Sequence, residues 1–395
     1  MARNIGTSVW GIRAPIAKRG DNIVEFVLQA IDATMSTDGI KIKDRDVIGV
    51  TESLVARTQG NYARVTDIAT DIKSKFSGPF VILFPILSRN RFSLLLKGMA
   101  MAGKKIYLLL NYPSDEVGNH LMDVDVMDEA GVDPYASLLT EKEYRAIFGK
   151  EFKHPFTGLD YVEYYKSLGE SGQIEIIFTN RPKDALKYSK EILVANIHER
   201  QRLKKTLLAA GAEKVFKLDE ILAESVDGSG YNPEYGILGS NKATEDSIKL
   251  FPRNCQDVVD SIQKEVKEKT GKNVDVMIYG DGAFKDPVGK IWELADPCVS
   301  PGYTQGLRGM PNEIKIKYIA DNDLKNMDHA QMMDAMKARI NSKESNIAGK
   351  DESTGTTPRQ LTDLLGSLCD LTTGSGDKGT PIVLIQGYFD NYATE

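Results

Sequence analysis

The sequence contains few cysteines and histidines. Its three cysteines are far apart and form no CxxC pair, so neither a cysteine-held zinc site nor a disulfide framework is predicted. Reduced thiols are typical of the cytoplasm, where we expect the protein to be located. The four histidines show neither HxxxH nor HExxH spacing, so the sequence gives no support for a histidine-held metal or a histidine-based catalytic triad.

Three signatures of common enzyme classes are missing as well. No GxGxxG follows the first strand of a predicted βαβ unit, and no GxxxxGK[ST] or GxSxG motif occurs. Dinucleotide binding, P-loop nucleotide binding and a nucleophile elbow therefore have no signature here. A Rossmann-type oxidoreductase is disfavoured for the same reason.

Long hydrophobic runs and an excess of positive charge are also absent. The longest apolar run, FVILFPIL at residues 80–87, is too short to span a bilayer. Residues 1–20 lack the continuous apolar stretch of a secretory signal. The formal net charge of −6 argues against electrostatic capture of nucleic acid. We therefore expect neither a membrane nor a nucleic acid as partner.

What the sequence does contain is the composition of a globular protein. Hydrophobic residues make up 41% and charged residues 27% of the 395 residues, a length that predicts two or three domains. Within residues 79–228, a strand (FVILFPI), a helix from Phe92 to Met101 and a second strand (KKIYLLLNYP) form a βαβ pattern, and a similar pattern begins at IEIIFTN. We predict an α/β fold in which a doubly wound, Rossmann-like domain at 79–228 interrupts a domain of mixed sheets and helices formed by 1–78 and 229–395.

Two loops contain carboxylates that could bind a metal ion. The apolar strand before GDGAFKDP delivers Asp281 between two glycines, where backbone can approach a ligand closely. Carboxylate oxygens suit Mg²⁺ or Mn²⁺, although a tight turn would use Asp and Gly for backbone reasons alone. The segment SNKATED sets a lysine beside Glu245 and Asp246, which either share a metal with Asp281 or belong to a helix N-terminus or a solvated turn.

Arginines follow two predicted strands. In ESLVARTQGNY, Arg57 and Gly60 come just beyond a strand, and a guanidinium can bind a carboxylate or phosphate through two N–H groups. In SRNR, Arg89 and Arg91 begin a predicted helix, and arginines and helix N-termini both favour anions. A surface arginine in the first case and an ordinary basic helix start in the second are the alternatives that the residues alone leave open.

Several of these segments, in this order along the chain, resemble the factor-420 γ-glutamyl ligase family, whose members add γ-linked glutamate to a deazaflavin coenzyme. In KDRDVIGVTESLVARTQGN, Arg57 takes the position of the family's usual lysine and Gln59 that of its usual glutamate. GILGSNKATEDSIKLFP matches the family's asparagine with Asn241 and has Glu245 where a metal-binding aspartate stands. In VDVMIYGDGAFKDP, Asp281 falls on a second metal-binding aspartate.

The end of the chain extends the resemblance. Pro287 matches the proline of the same loop, GTPIVLIQG matches the family's closing strand, and Asp363 falls near the acidic residue before that strand. Lys285 and Asp286 stand where the family has an arginine, so a folate-like or peptide carboxylate is as open an acceptor as the deazaflavin. The resemblance does not extend to the predicted insertion.

The resemblance implies a GTP- and divalent-metal-dependent ligase that joins a substrate carboxylate to L-glutamate through an acyl phosphate. Mg²⁺ or Mn²⁺ would be the cofactor, GTP the co-substrate, and the family assembles as homodimers. The implied metal ligands are Asp281, Glu245 and Asp363, and the implied catalytic residues are Asp281, Glu245 and Arg57. The implied nucleotide and substrate contacts are Glu52, Ser53, Gly60, Asn241, Gly282, Arg89 and Arg91. A non-catalytic small-molecule-binding or regulatory protein on the same scaffold is the alternative.

Overall fold

The protein has the predicted mixed α/β architecture. The computed structural model describes residues 4–285, 292–356, 359–373 and 376–394. Its strands are β1 (Ser8–Ile12), β2 (Val47–Thr51), β3 (Tyr62–Arg64), β4 (Phe80–Leu83), β5 (Ile106–Leu110), β6 (Leu139–Thr140), β7 (Ile174–Phe178), β8 (Glu191–Val194), β9 (Lys214–Lys217), β10 (Asn241–Lys242), β11 (Ser247–Lys249), β12 (Asp275–Tyr279), β13 (Phe284–Lys285), β14 (Trp292–Glu293), β15 (Gly302–Tyr303) and β16 (Ile382–Gln386). Its α-helices are α1 (Ile23–Asp38), α2 (Glu52–Gln59), α3 (Val65–Lys75), α4 (Phe92–Ala100), α5 (Val124–Glu129), α6 (Glu141–Phe148), α7 (Tyr161–Lys166), α8 (Arg200–Ala209), α9 (Cys255–Thr270), α10 (Ile316–Asn322), α11 (His329–Ser342) and α12 (Leu361–Thr373). Within these ranges, no helix combines the length and apolarity that crossing a membrane requires.

The larger sheet is built from the segment with the βαβ patterns. Its strand order is β6-β7-β5-β4-β8-β9, and every neighbouring pair is parallel except β6 with β7. The chain begins at β4, adds β5 and β7 on one side, and then returns to add β8 and β9 on the other side. The direction of winding therefore changes between β4 and β8, and a crevice at the carboxyl ends of the strands is where such folds bind ligands.

The second sheet has the order β1-β16-β2-β12-β15, in which β2 and β12 are parallel and the other pairs are antiparallel. Its strands alternate between two covered faces, as the period of two along a strand requires. Ile48 and Val276 pack under α1 and α9, whereas Val47 and Met277 pack with residues of α12. The terminal strand β16 is buried along its whole length, as its apolar sequence predicts.

The parallel pairing of β2 with β12 brings their carboxyl ends side by side. Tyr279 lies opposite Thr51, so Glu52 at the start of α2 and Gly280 after β12 follow at the same edge of the sheet. The loop at residues 84–91, which follows β4 in the six-stranded sheet, reaches this edge through an ion pair. The loops that follow β2 and β12 in one sheet and β4 in the other thus meet at this edge, where they can present side chains to one ligand.

Candidate active site

Asp281 lies at this meeting point, two residues beyond the end of β12. Its side chain is 26% exposed, and its carboxylate Oδ2 accepts hydrogen bonds from Arg91 Nη2 at 2.7 Å and from the backbone N–H of Ala295 at 3.2 Å. The two glycines beside it, Gly280 and Gly282, are buried, and the role of this carboxylate at a ligand stays a prediction. The predicted loop proline, Pro287, lies outside the described residues, as does Asp286.

Arg91 joins the two sheets through their loops. It precedes α4, its side chain is 14% exposed, and its Nη1 donates to Asp296 Oδ1 at 2.6 Å while Nη2 donates to Asp281. A positive side chain at the start of a helix is disfavoured by the helix dipole. The two carboxylates therefore hold the guanidinium in this position against the local preference of the helix.

Asp296 and Asp370 complete the acidic side of the site, and neither was predicted from the sequence. Asp296 Oδ2 accepts from the backbone N–H of Asp281 at 2.8 Å, and Asp370 Oδ2 on α12 accepts from the backbone N–H of Gly282 at 3.0 Å. One turn earlier on the same helix, Ser367 Oγ accepts from the N–H of Ala283 at 3.0 Å. The backbone of the glycine-flanked loop is thus fixed by the side chains that surround it.

A buried ion pair lies beside these aspartates, and we call Asp281, Asp296, Asp370 and Glu52 together the carboxylate cluster. Lys249 Nζ on β11 donates to both oxygens of Glu52, at 2.7 and 2.9 Å, and both side chains are buried. Burial raises the pKa of Glu52, Lys249 opposes that rise, and the nearby Asp296 adds to it. Asn241 lies opposite Lys249 in the β10–β11 pair, which brings this predicted contact residue close to the cluster.

The charges of this cluster do not balance. Asp281, Asp296, Asp370 and Glu52 face only Arg91 and Lys249, which leaves a formal charge of −2 among these described residues. Burial, followed by the charge of Asp296, raises the pKa of Asp281 to about 7, although Arg91 opposes the rise. Burial also raises the pKa of Asp370. Both pKa shifts arise first from burial of the carboxylates, and the charge of Asp296 adds to each of them.

Several residues implied by the family resemblance lie elsewhere. Arg57 is exposed, and its Nε donates to the backbone oxygen of Ala17 at 2.6 Å, so it fixes the N-terminal segment in this conformation. Gly60 ends α2 with a φ of 60°, a left-handed conformation that glycine adopts without strain. Ser53 and Arg89 are exposed.

The other two implied metal ligands are also separate from Asp281. Glu245 is 83% exposed and its carboxylate pairs with Lys242 Nζ at 2.5 Å. Asp363 lies on α12 two turns before Asp370, whose carboxylate makes the contact with the Asp281 loop. Among the residues that the structure describes, no three His, Cys, Asp or Glu side chains are already placed to share a metal ion.

Comparison with known protein families shows the family to which the chain belongs. The family described as F420-0:Gamma-glutamyl ligase matches residues 11–387. The chain belongs to this family. A search of curated proteins found no match. The matched range of the γ-glutamyl ligase family includes both sheets, the carboxylate cluster and the segment that the sequence resemblance left out. Family membership supports an enzyme of the ligase class that forms γ-glutamyl bonds.

Proposed function

We propose that the chain is a nucleotide- and divalent-metal-dependent ligase that joins a substrate carboxylate to L-glutamate through an acyl phosphate. The observation that carries this proposal is the carboxylate cluster with its formal charge of −2, placed where the carboxyl ends of two sheets meet. One bound divalent cation would balance that charge. The family match supports the γ-glutamyl product, and the cluster supports the dependence on a metal.

The chemistry of the donors suits a hard divalent cation, and the carboxylates would have to approach one another to share it. Asp281, Asp296 and Asp370 offer carboxylate oxygens, which Mg²⁺ and Mn²⁺ prefer, and backbone N–H groups orient one oxygen of each. Asp281 would also favour a nearby cation, because burial and the neighbouring charge of Asp296 both destabilise its charged form. A bound Mg²⁺ or Mn²⁺ would supply charge neutralisation for the phosphate oxygens of the nucleotide.

The proposed reaction does not require a nucleophilic side chain. The γ-phosphoryl group of GTP passes to a carboxylate oxygen of the acceptor, which gives an acyl phosphate and GDP. The amine of L-glutamate then attacks the acyl carbon, so that a C–N bond forms, the C–O bond to phosphate breaks and inorganic phosphate leaves. The amine proton passes to a nearby carboxylate.

The cations of the site have distinct proposed tasks. Arg91 would face the phosphate groups, as the SRNR segment predicts, because a guanidinium matches phosphate oxygens through two N–H donors. The Lys249–Glu52 ion pair would hold β11 and the start of α2 in place, since both charges are buried and each satisfies the other. Residues 79–228 would form a separate domain that contributes Arg91 to the active site of the domain formed by 1–78 and 229–395.

The experiment is a Mn²⁺ and GTP binding measurement on Asp281→Asn and Asp296→Asn, with Asp32→Asn as the matched control. The control makes the same chemical change at an exposed carboxylate, which pairs with Lys269 outside the cluster. We expect each cluster variant to weaken Mn²⁺ binding at least tenfold and to abolish phosphate release from GTP, while the control changes neither. Unchanged Mn²⁺ and GTP affinity in Asp281→Asn would contradict the proposal.

A non-catalytic binding protein remains the second candidate because of one feature of the fold. The crevice between β4 and β8 is a binding position of doubly wound sheets in general, whatever the chemistry beside it. If the chain is such a binding protein, a small molecule should bind in this crevice without any nucleotide turnover. Phosphate release that depends on both Mn²⁺ and L-glutamate would exclude it.

A further inference from the structure

The carboxyl ends of β4 and β8 lie side by side where the winding direction of the six-stranded sheet changes. Ala195, just after β8, donates its backbone N–H to the oxygen of Leu83 at 2.8 Å. Doubly wound sheets bind their ligands in the crevice outside such strand ends. Here Ile86 and Ala195 line a cavity of only about 20 Å³, whereas a small-molecule site has about 300 Å³ or more. The β4–β8 crevice is therefore largely filled by protein.

Two acidic side chains use the backbone donors of the β4–β8 crevice. Glu116 accepts from the N–H groups of Ile197 and His198, which follow β8, at 2.6 and 3.1 Å. Asp115 accepts from the N–H of Leu87, which follows β4, at 2.7 Å. In doubly wound folds, N–H groups after the strands bind the anionic part of a ligand. In this chain the carboxylates of Asp115 and Glu116 take that place.

Residues 294–298, which follow β14 in the C-terminal part of the chain, lie against the same crevice. The ring Nε2 of His198 donates to the backbone oxygen of Leu294 at 3.0 Å, so Nε2 carries a proton. Ala295 lines the small cavity together with residues between 86 and 240. The segment thus covers the position at which a ligand of the sheet would bind.

Two further contacts hold the end of this segment. Pro297 lies against Gly239, where a Cβ would come within 2.6 Å of the proline Cδ. Gly239 has a φ of 71°, so glycine serves both the close approach and the left-handed backbone at this position. Tyr235 OH lies 3.5 Å from Cys298 Sγ. The docking therefore extends along residues 294–298 and does not depend on a single hydrogen bond.

We propose that residues 294–298 occupy the β4–β8 crevice and that His198 is a positioning residue, which fixes Asp296 through the backbone of this segment. Leu294 and Asp296 are two residues apart, a separation of at most about 7 Å, so an anchor at one restricts the other. Asp296 Oδ2 in turn accepts from the N–H of Asp281 at 2.8 Å. The inference rests on the proposed function, for which it names a positioning residue outside the carboxylate cluster.

The six-stranded sheet then contributes to the site without binding a molecule of its own. A ligand in the β4–β8 crevice would have to displace residues 294–298 and, with them, Asp296. The strand ends instead hold the segment from which Asp296 reaches the loop of Asp281. Side chains that touch a reacting group need such support from neighbouring hydrogen bonds to keep their geometry.

Amide hydrogen exchange at Asp281 and Ala295 tests the positioning role of His198. The N–H of Asp281 is bonded to Asp296 Oδ2, and the N–H of Ala295 is bonded to Asp281 Oδ2. His198→Ala removes the donor to the segment, so we expect exchange at both amides to become about fivefold faster. His198→Gln offers an amide N–H near the place of Nε2 and should restore the wild-type rate. A merely structural role of the imidazole ring would not give this rescue.

His329→Ala is the matched control, because His329 is also exposed and lies at the start of α11. We expect wild-type exchange at Asp281 and Ala295 in this variant, and unchanged exchange of β7 at residues 174–178 in every variant. Wild-type exchange at the two amides in His198→Ala would overturn the proposal. Equally faster exchange in His198→Ala and His198→Gln would also overturn it, because the hydrogen bond would not be the cause.

Tyr235→Phe covers the case in which His198→Ala does not fold. It removes the hydroxyl that contacts Cys298 and keeps the ring, which packs edge-on against Phe251. Since this contact belongs to the same docked segment, we expect exchange at Ala295 to become about twofold faster. An unchanged rate at Ala295 would overturn the docking of the segment.

Phosphate release from GTP, in the presence of Mn²⁺ and L-glutamate, separates this inference from the proposed function. If Asp296 serves the ligase reaction, release should slow about fivefold in His198→Ala and recover in His198→Gln. Faster exchange with unchanged release would overturn the positioning role of His198. No release in the wild type would overturn the proposed function, while faster exchange in His198→Ala would still support the docking.

Discussion

Arg145 and Arg91 are equally buried, yet they sit in very different electrostatic surroundings. Both side chains are 14% exposed, and both come from the segment that forms the six-stranded sheet. Arg145 binds both oxygens of Asp160, at 2.7 and 3.0 Å, within that segment. Arg91 divides its two donors between Asp281 and Asp296, both of which belong to the other half of the chain.

The pKa values of the partner carboxylates reflect this difference. Burial raises the pKa of Asp160, but hydrogen bonds from Arg145 and from the backbone of Phe152 outweigh it, and the net pKa is lowered. Asp281 has the opposite balance, with burial and Asp296 raising its pKa to about 7. Asp160 thus has a guanidinium to itself, whereas Asp281 shares the guanidinium of Arg91 with Asp296. We propose that this difference marks the carboxylate cluster as a binding site.

We expect the largest effect when the buried Arg145–Asp160 ion pair is broken. Arg145→Met leaves Asp160 buried without its cation, and removal of one partner from a buried pair costs about 3 kcal/mol. Urea unfolding followed by far-ultraviolet circular dichroism measures the loss. Arg202→Met is the control, because its pair with Glu199 is exposed and contributes little. A loss below about 1 kcal/mol for Arg145→Met would mean that this pair is not the structural reference we take it to be.

The next largest effect concerns the position of Asp296 in the carboxylate cluster. A Cβ at Gly280 would lie under 3.0 Å from Asp296 Oδ2, so Gly280→Ala should push that carboxylate away from the N–H of Asp281. We expect Mn²⁺ affinity to fall about tenfold, equivalent to roughly 1.4 kcal/mol, with the fold retained. Gly169→Ala is the control, since its Cβ would meet the flexible end of Gln173 at a similar distance far from the cluster. Equal Mn²⁺ affinity in both variants would show that the position of Asp296 is unimportant.

A smaller effect concerns pH and belongs to the six-stranded region alone. His154 is buried, its Nδ1 accepts from the N–H of Thr157, and burial followed by the charge of His120 lowers its pKa below the usual 6.5. The folded state therefore binds this proton less readily than the unfolded state. Its contribution to stability is complete above pH 6.5 and is lost as pH falls through the lowered pKa.

His154→Gln removes that loss. Relative to wild type, we expect the variant to lose less unfolding free energy between pH 7.5 and pH 5.5, measured by urea titration at both values. His329→Gln serves as the control, because His329 is exposed at the start of α11. Identical pH dependence in wild type and His154→Gln would refute the prediction.

Much of the fold could be predicted because it depends on local patterns. The βαβ repeats gave the parallel sheet, and the apolar run at the end of the chain gave the buried strand β16. The same reasoning placed Glu52 and Asp281 after strands that prove to be parallel neighbours. That reasoning did not identify Asp296 or Asp370. Asp296 follows the short antiparallel β13–β14 pair and Asp370 lies within the amphipathic helix α12, so only tertiary packing brings them to Asp281.

Glu245 gives the smallest expected effect and the clearest test of what family resemblance adds. The resemblance implies that it binds metal, whereas in this structure its carboxylate is 83% exposed and pairs with Lys242. If it keeps this position, Glu245→Gln changes Mn²⁺ affinity by less than twofold, in contrast to Asp281→Asn. A tenfold loss in Glu245→Gln would instead mean that the β10–β11 loop closes on the cluster when metal binds. The acidic side of the site would then be assembled by the ligand.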